Sequence, residues 1–186
     1  MRKTKWAVLA VSVVVVLTAV LAPAAGATTP KAVSGVWSWH GGEGFATDPL
    51  AGDTYIYGYE LGNWTGAFRG SSYEPYTGVV RGDGSVWAII TVNFKGRVNG
   101  AGGKMVMQLN VEEPVSDGIF GQWAIMSGSG GLRHLRGAGT WVYTHSSSDG
   151  VYGYADYKGA VWMTSAPRHV AVPTARARSA QAWPLR

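Results

Sequence analysis

Few side chains in this sequence have the type and spacing to do chemistry. Glu60 interrupts an aromatic run (Tyr55, Tyr57, Tyr59) and shares an alternating face with Ile56 and Gly58. If that face points into a core, Glu60 is a cavity carboxylate with a raised pKa, able to act as acid or base and a candidate catalytic group. Glu is almost never fully buried, so a solvated strand-end residue is the ordinary reading. Asp156 alternates with Tyr152, Tyr154 and Lys158 and is expected to face outward. Arg136 lies in a glycine-bounded turn, where its five donors suit unpaired backbone carbonyls better than a ligand. His40, His134, His145 and His169 show no metal-ligand spacing, so no metal site and no cofactor is expected. Ser127-Gly128-Ser129-Gly130 precedes no long helix, so it is neither a phosphate cradle nor a nucleophile elbow. Arg81-Gly82-Asp83 matches an adhesion tripeptide but reads as a tight turn. Asn63-Trp64-Thr65 is a glycosylation sequon, relevant only in a eukaryotic host.

Aromatic residues dominate what remains. Tryptophans 37, 39, 64, 87, 123, 141 and 162 all fall in segments that read as strands. Trp37 and Trp39 share one face, and so do Trp141 and Tyr143. With Trp123 these are the candidate ligand-binding side chains. Exposed, such a strip would stack on sugar rings; the usual fate of aromatics in a small barrel is to fill its core.

The elements that must carry these residues are strands. Short alternating segments sit between Gly, Asp, Asn and Ser punctuation. The pattern predicts strands at Gly35–His40, Thr54–Leu61, Trp64–Ser71, Tyr76–Arg81, Ser85–Lys95, Lys104–Glu112, Phe120–Ser127, Gly139–His145 and Val151–Met163. Turns are predicted at Gly82-Asp83-Gly84, Asn99–Gly103 and Ser146–Gly150. Met105, Met107, Leu109 and Val111 form one apolar face; Val86, Ala88, Ile90, Val92 and Phe94 form another. This is one-sided burial. Glycines at Gly66, Gly70, Gly153 and Gly159 mark sharp coiling or close backbone approach. The expected class is all-β, a single antiparallel, roughly eight-stranded closed barrel, because closure removes vulnerable edges.

The flanks read as export and tail segments. Arg2, Lys3 and Lys5 precede a 16-residue apolar run, Ala7 to Ala22, and Ala25-Gly26-Ala27 is a small-x-small cleavage site. The run is shorter than the roughly 20 apolar residues of a membrane span. Residues 1–27 are therefore expected to be a general secretory signal peptide, leaving no stable membrane span after cleavage. Residues 28–34 read as a leader, 35–165 as the barrel domain and 166–186 as a flexible basic tail. The expected destination is the outside of a bacterial cell. There is no cysteine, so the exported fold must hold without disulfides. The net charge of +5 comes from the flanks: residues 32–166 hold eight Lys/Arg against eleven Asp/Glu, a net of −3. That balance argues against a nucleic-acid partner.

Residues 121–139, GQWAIMSGSGGLRHLRGAG, carry a resemblance. A strand ends in Gly-Ser-Gly, a leucine-containing turn follows, and Leu-Arg-Gly-x-Gly leads into another strand. Gly128, Ser129, Gly130, Leu132, Leu135, Arg136, Gly137 and Gly139 hold these positions, and Leu132 and Leu135 can plug a barrel end. The segment resembles bacterial proteins with an allene oxide cyclase/dirigent-like β-barrel, including DUF3224-type proteins. The resemblance implies an eight-stranded barrel with a mostly apolar cavity, in a family that works by confinement and orientation.

The expected function is a secreted barrel binding a small apolar or aromatic ligand. The alternatives are an isomerase or cyclase of the allene-oxide-cyclase kind using Glu60, and an envelope or polysaccharide-binding module. The strand Val86–Phe94 is apolar on its second face too, at Trp87 and Ile89. A homo-oligomer contact or the folded-back tail, anchored by Trp183, is expected to cover it.

Overall fold

The computed structural model describes residues 27–46, 52–116 and 118–165. Residues 1–26, in the segment read as a signal peptide, and the tail with His169 and Trp183 lie outside the described residues.

Eight antiparallel strands follow one another round a closed barrel: β1 Lys31–Ala46, β2 Thr54–Trp64, β3 Phe68–Val80, β4 Val86–Val98, β5 Ala101–Glu113, β6 Phe120–Gly130, β7 Leu135–Ser146 and β8 Tyr152–Met163. Each pairs with its sequence neighbours, and β8 closes on β1 from Lys31↔Val161 to His40↔Tyr152. The predicted class therefore stands. Nine predicted segments become eight strands because Thr65–Ala67 is a turn. Gly66 has φ +91°, and Thr65 N–H and Ala67 N–H donate to the carbonyls of Val36 and Ser34. The predicted strand Trp64–Ser71 divides there, and its second half continues without a break through Tyr76. β1 starts inside the segment read as leader: its first residues pair with β8, and Thr28 N–H donates to Met163 O. Asn99 and Gly100 form a two-residue hairpin with both φ values positive, 48° and 90°, which matches the twist of the flanking strands.

Alternation decides what fills the barrel. Trp37, Trp64, Phe68, Val92, Phe94, Met105, Met107, Leu109, Trp123, Ile125, Trp141 and Tyr157 all point inward and are buried. Phe68 and Tyr157 stack at 4.9 Å, and Trp123 meets Phe68 edge-on at 5.5 Å. The Tyr157 hydroxyl accepts from Phe68 N–H and donates to Thr65 O, tying β8 to the β2–β3 turn. Leu132, fully buried, and Leu135 close the end where β1 begins. The chain reaches them through a tight turn, Leu132 N–H to Ser129 O and Leu135 N–H to Leu132 O. The interior is thus not one open cavity. Its middle is solid with side chains and Leu132 and Leu135 plug one end, while the end where β2 begins keeps a group of inward-facing aromatic and acidic side chains partly exposed.

Candidate functional site

The working end is built on the β2–β3 ladder. Its register places Trp64 opposite Gly70, Gly62 opposite Ser72, Glu60 opposite Glu74 and Gly58 opposite Tyr76, all on the inward face. Directly opposed side chains in such a ladder have Cβ atoms about 5 Å apart. Two carboxyls therefore face each other inside the barrel.

Glu74 is completely buried. Trp37 Nε1 donates to its Oε2 at 3.2 Å, Trp64 Nε1 to its Oε1 at 3.3 Å, and the Ser72 hydroxyl also donates to Oε1. Trp64 Nε1 shares its proton with Ser72 Oγ at 2.8 Å. Gly62 makes room for this cluster, since a Cβ there would meet Glu74 Oε1 and Ser72 Oγ. Burial pushes Glu74 up to about 7, and the three donors pull the other way. Glu60 is half-buried. Burial first, and the Glu74 charge second, push it up to about 8. Among the described residues no side chain donates a hydrogen bond to Glu60.

Aromatic groups surround the pair. Tyr76 follows Glu74 on the inward face of β3, half-buried, with its hydroxyl beside Gly44. Burial and then the Glu60 charge raise its pKa. Trp39 lies over Gly153, packs on Trp37 at 4.3 Å and meets Tyr143 at 6.1 Å. Trp39 and Tyr143 remain partly exposed. The open half therefore presents aromatic faces with a carboxyl at their base.

The predicted site residues separate into groups. Glu60, Trp39 and Tyr143 sit at the open end. Trp37 and Trp141 lie beneath them, meeting edge-on at 5.5 Å, and Trp123 is deeper, with Nε1 donating to Lys158 O. Trp37, Trp123 and Trp141 are each about 2% exposed or less, so they cannot form an outer strip for sugar rings. Among the described residues Arg136 bonds one carbonyl, that of Leu135 at 2.7 Å; its strand position faces outward. Gly128 and Gly130 pair with Met105 and Gly103; Gly137 and Gly139 admit Ile125 and Trp123 against the β7 backbone. Asp156 is exposed. Among the described residues no group of three His, Cys, Asp or Glu side chains converges on a metal position. Sequence reading missed Glu74. It lies in Tyr73-Glu74-Pro75, between two predicted strands; extending the alternation back from Tyr76 would have turned it inward.

The outer wall offers a second concavity. An open groove of about 980 Å³ runs over Ala32, Ile89, Gln108, Ala124, Ala138 and Ala160. Most of these positions are outward-facing. Trp87 is 41% exposed.

These features define a closed, eight-stranded meander barrel, plugged by leucines at one end and opening at the other over a carboxyl pair. A solved protein of unknown function from the DUF3224 family of Shewanella oneidensis MR-1 shares this fold at TM-score 0.58 and 14% identity, over 74% of this chain and all of that one. The pterocarpan synthase dirigent protein GePTS1 is similar at TM-score 0.48 and 12% identity, over 75% of this chain and 93% of that one. No family model matches the chain, and no curated protein matches it. The fold implied by the turn segment is thus the fold found, and the DUF3224 protein shares it.

Proposed function

We propose that this protein is a secreted barrel that holds a small apolar or aromatic ligand in its open half. One observation carries the reading: Glu60, Trp39, Tyr76 and Tyr143 face inward at one end and stay partly exposed, while the other end is sealed. Concave aromatic surfaces with a few polar groups are how small-molecule sites are built. The test is binding of a neutral aromatic probe, 1-naphthol, followed by tryptophan fluorescence. Val86 faces inward and is half-buried near the open end. Val86→Trp is expected to weaken binding at least tenfold with the melting temperature kept, while Thr77→Trp on the outer face leaves it unchanged. Equal affinity in both variants would sink the assignment.

A second reading has its own support. A carboxyl pushed up to about 8 in aromatic surroundings suits acid or base work, so an isomerase or cyclase using Glu60 remains the alternative. Export is supported by the N-terminal segment alone. We also propose that a second copy packs on the outer groove. Its alanines permit close approach, and Ile89 lies in it with Trp87 on the same strand face.

A further inference from the structure

The two carboxyls of the open half are the same chemical group in opposite hydrogen-bond settings. Both Glu74 oxygens accept from neutral donors: Oε2 from Trp37, Oε1 from Trp64 and Ser72. These bonds stabilise the anion, which accepts only. A proton on Glu74 would have to turn the Ser72 hydroxyl from donor to acceptor, because the two indoles can only donate. Glu60 opposes it in register with no donor of its own among the described residues. Two like charges at this separation in a poorly solvated interior repel strongly, so ionising both is unfavourable.

We propose that the pair carries one proton at neutral pH, held on Glu60 because Trp37, Trp64 and Ser72 fix Glu74 as the anion, and that Glu60 offers its O–H to an acceptor oxygen on a neutral, aromatic or apolar ligand. Glu74 is then a positioning residue, acting through Glu60. Burial raises the pKa of both carboxyls, which agrees with a proton kept on the pair. Among the described residues no cation stands at an inward register position beside the pair. Among side chains described at inward register positions, the other titratable groups near the pair are Tyr76 on β3, Tyr143 on β7 and Glu113 at the end of β5. The β1 residue opposite Glu60 is Gly41, and β4 contributes Ile90 and Val92. Lys31, the cation at an inward register position, lies at the far, leucine-plugged end and is exposed. The anionic Glu74 would repel an acid, so the site would select a ketone or ether over a carboxylate.

The ligand preference rests on the open half being the binding site; the proton assignment does not, and two measurements separate them. First, ¹³C-glutamate NMR of the full chain from pH 4 to 10 needs no ligand and no variant. Glu74 is expected to ionise first, with Glu60 still protonated between the two steps near neutral pH. Glu74→Gln should lower the Glu60 midpoint by at least one pH unit. A neutral Glu74 beside an ionised Glu60, or an unmoved midpoint, overturns the assignment. Second, 1-acetylnaphthalene is compared with 1-ethylnaphthalene. The ketone should bind at least fivefold tighter at pH 6, and the preference should vanish by pH 9.5. Glu60→Gln keeps an N–H donor and should keep the preference at both pH values; Glu60→Leu should abolish it. A preference unaffected by pH or by Glu60→Leu refutes the hydrogen-bond role. If neither probe binds at any pH, the proposed function itself falls, and the titration still decides where the proton sits.

Discussion

At the scale of single residues, two raised carboxyls make stability depend on pH. A carboxyl whose folded pKa lies above its unfolded value binds more protons when folded. Its contribution is fully present below about 4.5 and is lost as pH rises through the folded values, about 7 for Glu74 and about 8 for Glu60. Chemical denaturation is therefore expected to show a loss of about 3 kcal/mol between pH 5 and pH 9, a figure discounted for the solvent that reaches Glu60. Glu60→Gln should flatten part of that slope, leaving the Glu74 share; an equally steep slope in this variant would refute the cause. Tyr157 offers a second residue-scale test. Its hydroxyl satisfies Phe68 N–H and Thr65 O, so Tyr157→Phe strands two backbone groups. The expected cost in a melting experiment is about 1–3 kcal/mol, and a neutral substitution would show that water replaces the hydroxyl.

At the scale of elements, the turns and the plug are the parts most open to test. Gly100 sits at φ +90° in a two-residue hairpin. Gly100→Val is expected to destabilise by about 1–2 kcal/mol through backbone strain, read as a lower denaturation midpoint with an unchanged slope. Leu132 is fully buried at the closed end. Leu132→Ala should cost about 2–5 kcal/mol, and a value under 1 kcal/mol would mean that the plug does not seal the barrel. Strand periodicity made these elements readable, because each turn carries its own glycine, asparagine or aspartate. The Thr65–Ala67 turn was hidden because Gly66 reads equally well as a strand glycine. Its positive φ and the hydrogen bonds to β1, from Thr65 to Val36 O and from Ala67 to Ser34 O, distinguish the two.

At the scale of the molecule, the N-terminal segment and the outer groove each make a prediction. Export with cleavage after Ala27 leaves Thr28 as the first residue, and its amine still donates to Met163 O as an ammonium. N-terminal sequencing of the secreted chain is expected to start at Thr28; intact Met1 on an exported chain would contradict the signal-peptide reading. Light scattering of the mature chain should report more than one copy, and Ala138→Arg in the groove should return it to a monomer. A monomer before substitution, with or without residues 166–186, would remove the second copy from the groove.

The amino-acid sequence by itself determined the strand class, the turn positions, the absence of thiol chemistry and the glycine–leucine segment that implied the barrel. These are local properties: alternation, glycine placement and composition act within a few residues of each other. Which carboxyl meets which was decided only by tertiary structure. Glu60 alone is compatible with solvent or core, and Tyr73-Glu74-Pro75 carries no signal of burial. The closed register brings Glu74 opposite Glu60, and Trp37 and Trp64, 37 and 10 residues away, supply the indole donors that make its burial tolerable. Barrel closure also sorts the tryptophans. The same alternation that marks their strands does not say which face is the inside, and the pairing of β1 with both β2 and β8 turns Trp37 and Trp39 inward.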